Sequence, residues 1–222
     1  MKNFFLLLSF SVFILSCEKE SKKTDLSNSI WVNARYLETL KKTKSPLQAK
    51  VYADTVIVSF NAKADTANLV WNFHEGSPFS VKQGERIQLF NMYTPKPTPE
   101  YEGILDNNTL KLGKTFFQKV DTIGFVEKLL WIGKYTTEGK TIELKGDGKL
   151  TGIDSLATYF VWTDYVTTQT NIDLIDFYDK NNQAKTYGYK FAGNEVIFYE
   201  FIWKEEGIIG TAGKELFRWK KG

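Results

Sequence analysis

The chain has 222 residues, of which 42% are hydrophobic and 15% aromatic, and its formal net charge is +3 at pH 7. A chain of this length can bury a sizeable core, and a single cysteine excludes an internal disulfide and a thiolate metal site. The charge is nearly neutral and is carried by scattered lysines, which argues against nucleic acid as a partner.

The first seventeen residues have the pattern of an export signal. Lys2 supplies positive charge, and residues 4–15 form an apolar stretch shorter than the roughly 20 residues of a membrane-spanning helix. The stretch ends in Ile14-Leu15-Ser16-Cys17, which resembles the lipobox of bacterial lipoproteins, where the cysteine thiolate accepts a lipid. We therefore predict a lipoprotein signal peptide over residues 1–17, lipidation of Cys17 and a membrane as partner. The alternatives are a signal peptide with an incidental cysteine and an anchor-like N-terminus of a cytosolic protein.

Residues 18–28 are predicted to be a polar tether. The segment begins Glu-Lys-Glu-Ser-Lys-Lys and contains no aromatic residue, so it buries too little apolar surface to order itself. Glu18 directly follows the cysteine. An aspartate at this position would favour retention in the inner membrane, so glutamate favours the outer membrane. The predicted location is the bacterial cell envelope, as an outer-membrane lipoprotein on the periplasmic face or the cell surface.

Residues 29–222 are predicted to form a β domain. Short runs rich in Val, Ile, Thr, Phe, Tyr and Trp are separated by turn residues such as Gly146-Asp147-Gly148. The predicted strands are 30–36, 54–60, 67–74, 85–91, 100–105, 109–119 with a break at Gly113, 127–136, 140–145, 149–154, 157–167, 171–178, 184–191, 195–203 and 214–219.

One segment, residues 36–50, has helical character. Within it, Ser45-Pro46-Leu47-Gln48 matches a capping box with proline at the first helical position. Elsewhere the strands follow each other at hairpin distances, so the predicted fold is all-β: an antiparallel meander that closes into a β-barrel and so hides its edges. A sandwich is the alternative. About fourteen strands leave two arrangements open, an enlarged barrel or two β-units that divide near residues 120–130.

Short motifs along the chain match those of a known family. Trp31 lies early in the first predicted strand, and residues 132–135 and 141–152 follow in the second half. Thr163-Asp164-Tyr165 matches the Thr-Asp-Tyr motif of lipocalins. In these features the chain resembles the lipocalin-like (calycin) lipoproteins common in Bacteroidetes. The resemblance implies a lipocalin-like barrel, and it implies that Arg218 in the last strand packs across Trp31.

Aromatic residues are frequent in the predicted strands, and both faces of residues 195–203 are apolar. These side chains either fill the barrel or line a pocket, and ligand pockets are mostly apolar with a few placed polar groups. A barrel with many strands encloses more space than side chains fill, so we predict a small apolar or amphiphilic ligand. The candidate ligand-binding residues are Trp71, Trp131, Tyr159, Trp162, Asp164, Tyr199, Glu200 and Trp203.

Catalytic motifs are absent from the sequence. It contains no Gly-x-Ser-x-Gly, no phosphate-binding glycine-rich loop and no His-Glu-x-x-His, and His74 is its only histidine. We predict no catalytic residue, no metal and no cofactor, and we expect the protein not to be an enzyme. Three hypotheses remain: a lipid-anchored ligand-binding barrel, a filled barrel with a structural or protein-interaction role, and a hydrolase using Asp164, Asp173, Asp176 or Glu200.

Overall fold

The computed structural model of the protein describes residues 25–106, 108–205 and 207–222. The predicted signal peptide, its lipidation site Cys17 and the start of the predicted tether lie outside the described residues. The end of that segment is described, and the side chain of Leu26 is buried in the core of the first β-unit. Among the described helices, none has the length and apolar character needed to cross a bilayer.

The first β-unit is a closed barrel of eight antiparallel strands. Its strands are β1 (Ile30–Asn33), β2 (Ile57–Phe60), β3 (Thr66–Trp71), β4 (Glu75–Gln83), β5 (Ile87–Asn91), β6 (Tyr101–Asp106), β7 (Thr109–Leu112) and β8 (Thr115–Val120). Each strand pairs with the next, and β1 closes the barrel against β8 with Trp31 opposite Lys119. Because side chains alternate across each strand, Trp31, Phe79 and Phe117 point into one buried apolar cluster that fills the barrel.

The second β-unit is another eight-stranded meander that is nearly closed. Its strands are β9 (Gly133–Thr137), β10 (Lys140–Leu144), β11 (Leu150–Thr151), β12 (Thr158–Val161), β13 (Asp173–Tyr178), β14 (Ala184–Ala192), β15 (Glu195–Glu205) and β16 (Ile209–Lys221). β9 pairs with β16, as the first and last strands do in the first unit. β11 and β12 are joined by two backbone hydrogen bonds, from the Leu150 N–H to the Ala157 carbonyl and from the Tyr159 N–H to the Gly148 carbonyl.

The connection between β1 and β2 carries a helical insert. α1 (Ala34–Thr43) follows the N-cap Asn33 and ends at Lys44, which adopts the left-handed conformation with φ of 56°. α2 (Pro46–Ala49) follows the N-cap Ser45, and a 3-10 turn completes the insert. Proline at the first helical position is compatible with this start because no intrahelical donor is lost there.

The helical insert joins the cores of the two β-units. Tyr36 and Leu40 of α1 belong to the same buried cluster as Val32 of the first barrel and Trp219 of the second unit. Aromatic rings fill that unit: the ring centroid of Trp219 lies 4.7 Å from that of Phe198. The interior of the second unit is therefore occupied by side chains, as in the first barrel.

The predicted all-β antiparallel fold is confirmed, and the arrangement is that of two β-units separated between Val120 and Gly133. A helix, α3 (Phe125–Leu130), stands where the strand 127–136 was predicted to begin, so that part of the prediction is wrong. The sequence pattern also missed β4, which contains Pro78, a residue with no backbone N–H to donate to a sheet. Its carbonyl nevertheless accepts a hydrogen bond of 3.1 Å from the Met92 N–H.

The expected contact between Arg218 and Trp31 is wrong. Arg218 lies in β16 of the second unit, where its guanidinium forms salt bridges with Glu195 and Glu215. The Trp31 ring is instead faced by Lys119, whose Nζ lies 5.9 Å from the ring centroid. The basic residue comes from β8 because the first barrel closes on its own eighth strand.

Asp173, at the start of β13, attaches the helical insert to the second unit. Its carboxylate accepts a hydrogen bond of 2.7 Å from the Leu47 N–H of α2. Burial raises the pKa of Asp173 to about 6, because desolvation of the carboxylate outweighs the hydrogen bonds from Ser45 and Leu47 that favour its charged form.

We expect Asp173 to make the folded protein more stable at about pH 5 than at about pH 7.5. The folded chain holds this proton more tightly than the unfolded chain, so its contribution is complete below the unfolded pKa and is lost as the pH rises through 6. The full contribution of about 3 kcal/mol is reached only below about pH 4, and about 1.4 kcal/mol of it is expected at pH 5. Urea unfolding of the wild type and Asp173→Asn at both pH values measures it, and identical pH dependence of the two proteins would contradict the prediction.

Candidate ligand-binding cleft

A cleft opens where β15 separates from β14. β15 pairs with β14 only over residues 195–200, and β14 residues 184–186 pair with β13 alone. The pairing of β15 with β16 shows irregularities between Phe198 and Tyr199 and between Tyr199 and Phe201. Because such irregularities bend a strand and redirect its side chains, the far half of the β15–β16 hairpin leaves the barrel wall and a cleft of about 590 Å³ remains.

Two glycines of β16 make room for the side chains on this hairpin. A Cβ atom at Gly210 would overlap the ring of Phe201, and a Cβ at Gly213 would lie 2.9 Å from Oε2 of Glu200. Both side chains line the cleft. The absence of side chains at these two positions thus sets how closely Glu200 and Phe201 approach β16.

The apolar wall of the cleft is aromatic. Trp203 meets Phe201 edge to face with ring centroids 4.7 Å apart, and Trp162 packs behind Trp203 at 5.9 Å. Trp162 is fixed by the buried carboxylate of Asp176, which accepts hydrogen bonds from the Trp162 indole at 2.9 Å and from the Thr186 hydroxyl at 2.7 Å. Thr186 itself lines the cleft, so Asp176 acts as a positioning residue for both.

Three charged side chains complete the cleft: Lys185, Lys214 and Glu200. None of them is part of a salt bridge among the residues that the structure describes. The Lys185 ammonium lies 5.2 Å from the centroid of the Tyr187 ring. An aromatic wall beside two cations and one carboxylate suits an amphiphilic ligand whose polar end is negatively charged.

Four of the predicted ligand-binding residues lie together here. Glu200 and Trp203 line the cleft, and Trp162, Tyr199 and Trp203 pack around one small buried cluster of the second unit. The Tyr199 ring is also faced by the Lys190 ammonium at 5.8 Å.

The other predicted residues are placed elsewhere. Trp131 and Tyr159 are buried in the shared core, and the Tyr159 hydroxyl donates to the Lys145 carbonyl at 2.9 Å. Trp71 lies in the first unit, where its indole donates to Glu75 at 2.8 Å. A carboxylate oxygen of Asp164 contacts His74 Nδ1.

The pair of His74 and Asp164 links the two β-units. His74 lies in the turn between β3 and β4, and Asp164 lies in the loop between β12 and β13. The same ring nitrogen is 3.0 Å from the Asn72 carbonyl. Both side chains are partly exposed, so the pair contributes at most about 1 kcal/mol to stability. This arrangement gives His74 a structural partner across the two units.

Sequence reasoning missed Lys185, Tyr187, Phe201 and Lys214 as cleft residues. Phe201 shares an alternating pattern with Tyr199 and Trp203, and the Gly-Thr-Ala-Gly segment 210–213 lies inside a strand. Glycine inside a strand indicates close approach of another group. These glycines were therefore the sequence signal that could have identified Phe201 as a cleft residue. The sequence contains no such signal for Lys185 and Lys214, because the bend in β15 is what places them at the same cleft.

Comparisons of the chain with protein-family models, with curated proteins and with solved structures find no match. A closed eight-stranded antiparallel meander is consistent with a lipocalin-like fold.

Proposed function

We propose that this chain is a lipid-anchored lipocalin-like protein of the bacterial cell envelope that binds a small amphiphilic ligand. The observation that carries the proposal is the cleft beside β15, in which an aromatic wall meets Lys185 and Lys214. Its volume of about 590 Å³ lies within the range of small-molecule sites, about 300–1,000 Å³. The ligand lies in this outer cleft rather than inside a barrel, because apolar side chains occupy both interiors.

The cell-envelope location is proposed from the N-terminal sequence. An export signal that ends in Ser16-Cys17 supports attachment of lipid at Cys17 and retention at the outer membrane. The Bacteroidetes type of lipoprotein is proposed from the motifs at Trp31, 132–135, 141–152 and 163–165, together with the lipocalin-like barrel.

A filled scaffold with a structural or protein-interaction role is the second candidate function. It is favoured by the packing of aromatic rings inside the second unit, such as Phe177 and Phe198 with centroids 5.8 Å apart. In that case the cleft is a surface feature and binds no small ligand.

We propose a non-catalytic role because the buried acidic residues have structural partners. Asp173 accepts the hydrogen bond of the helical insert from Leu47, and Asp176 fixes Trp162 and Thr186. A glycosidase needs two carboxylates free to act as acid and base, and these hydrogen bonds hold both groups in structural roles.

Titration with laurate tests the proposed site. A soluble form beginning at Glu18 is expected to show quenching of tryptophan fluorescence, because Trp203 lines the cleft and the ring of Trp162 packs against that of Trp203. The variants Trp203→Ala and Trp162→Ala should bind laurate more weakly yet remain folded. The double variant Lys185→Gln/Lys214→Gln should weaken binding roughly three- to tenfold, since each exposed ion pair contributes less than about 1 kcal/mol.

Lys96→Gln is the matched control, because Lys96 is an exposed lysine of the first unit far along the chain from the cleft. It should bind laurate like the wild type. Absence of quenching by laurate, together with unfolding of both tryptophan variants, would instead identify the aromatic residues as core and the protein as a filled scaffold.

A further inference from the structure

A crevice separate from the cleft lies in the first β-unit, at the end of the barrel where β1 continues into α1. It encloses about 440 Å³ between the start of α1, the 3-10 turn Lys50–Tyr52 and the β7–β8 hairpin. Two apolar side chains that line it are exposed to solvent, Val51 by 67% and Phe116 by 50%. Apolar side chains of this size gain from being covered.

The floor of the crevice is rigid because Asn33 uses both ends of its amide. The Asn33 nitrogen donates to the Tyr52 and Thr55 carbonyls at 3.1 and 3.3 Å, and its oxygen accepts from the Arg35 N–H at 3.0 Å. The loop before β2 and the first turn of α1 are therefore fixed relative to one another. A site whose walls are already ordered loses little conformational entropy when it binds a ligand.

Arg35 differs from the other arginines of the chain. The sequence contains three, and two of them use their guanidinium groups internally: Arg86 pairs with Glu102, and Arg218 pairs with Glu195 and Glu215. Arg35 forms no salt bridge among the described residues and lies 6.0 Å from the centroid of the Tyr52 ring. A guanidinium fork beside an aromatic face matches a carboxylate that carries an apolar group.

The charges around the crevice select the class of ligand. Arg35 and Lys114 supply two positive charges, and Asp54 supplies one negative charge, so the site has a net charge of +1. We propose that this crevice binds a small aromatic or alkyl monocarboxylate, with its carboxylate on Arg35 and Lys114 and its apolar part against Val51 and Phe116. This site is separate from the cleft beside β15 and takes its own ligand.

Fluorescence anisotropy of 2-naphthoate tests the proposal on the full chain held in a non-ionic maltoside detergent. Wild type is expected to bind the probe, and Arg35→Gln to bind it at least about tenfold more weakly, the size of loss expected for a charged hydrogen-bonded pair. Arg35→Lys keeps the positive charge but loses the paired N–H donors of the guanidinium. Its affinity for 2-naphthoate should therefore lie between those of wild type and Arg35→Gln. The neutral probe 2-naphthol should bind more weakly than 2-naphthoate.

Arg86→Gln is the matched control, since it removes an exposed arginine from the same barrel, and it should bind 2-naphthoate like the wild type. Unfolding by urea, followed for each variant, separates loss of binding from loss of fold. Equal affinity of wild type and Arg35→Gln, equal affinity for 2-naphthol and 2-naphthoate, or no binding of 2-naphthoate to folded wild type would each overturn the proposal.

Discussion

Replacement of Trp131 by alanine is expected to lower the free energy of unfolding by about 3–5 kcal/mol, the cost of deleting a large buried aromatic side chain. Trp131 is fully buried immediately after α3. Its ring contacts Tyr189 and Phe191 with centroids 4.7 and 5.2 Å away. The cavity left by alanine would lie in the core shared by the helical insert and the second unit, so both should lose stability together.

Urea unfolding followed by far-UV circular dichroism measures this effect, with two variants for comparison. Trp131→Phe retains an aromatic ring in the same place and should lose much less stability. Trp203→Ala removes a tryptophan that is only partly buried, and we expect it to cost less than about 2 kcal/mol, in keeping with partial burial. Equal unfolding midpoints for Trp131→Ala and Trp203→Ala would show that Trp131 is not a core residue.

Replacement of Cys17 by serine is expected to abolish lipid attachment completely in cells that process lipoproteins. A serine hydroxyl is not ionised at neutral pH and lacks the nucleophilicity of a thiolate. The variant should incorporate no labelled palmitate and should migrate as the uncleaved precursor. Ser16→Ala, which keeps a small residue before the cysteine, should be lipidated and cleaved normally. Labelling and migration of Cys17→Ser that match the wild type would contradict the lipoprotein prediction.

The two large effects concern different parts of the protein. The change at Trp131 is expected to act on the folded core, whereas the change at Cys17 is expected to act on the proposed processing of the residues that precede it. A form that begins at Glu18 should therefore keep the stability of the core. This separation allows the cleft to be tested for ligand binding without the lipid anchor.

Local patterns of residues specify the class of the fold. Runs of β-branched and aromatic residues at hairpin spacing specify antiparallel strands, because alternation and turn chemistry act over a few neighbouring residues. The start of α2 was determined in the same way, since Ser45 and Pro46 satisfy the local requirements of a helix N-terminus.

Local patterns do not specify how the strands close into barrels. One enlarged barrel and two separate units differ in which strand pairs with β1. In the structure β1 pairs with β8, and β9 pairs with β16. Those pairings join residues far apart in the chain, and the local pattern is the same for either outcome. The contact expected between Arg218 and Trp31 failed for this reason.

Which residues come together at each candidate site depends on tertiary structure even more than strand closure does. Aromatic character predicted Trp203 as a ligand-binding residue but equally predicted Trp131, which is buried in the core. Bends in β15 bring Lys185 and Lys214 to one cleft, and the β1–β2 insert brings Arg35 to Lys114. A sequence specifies each side chain's chemistry through local preferences, whereas its neighbours are fixed by strand pairing and packing across the whole chain.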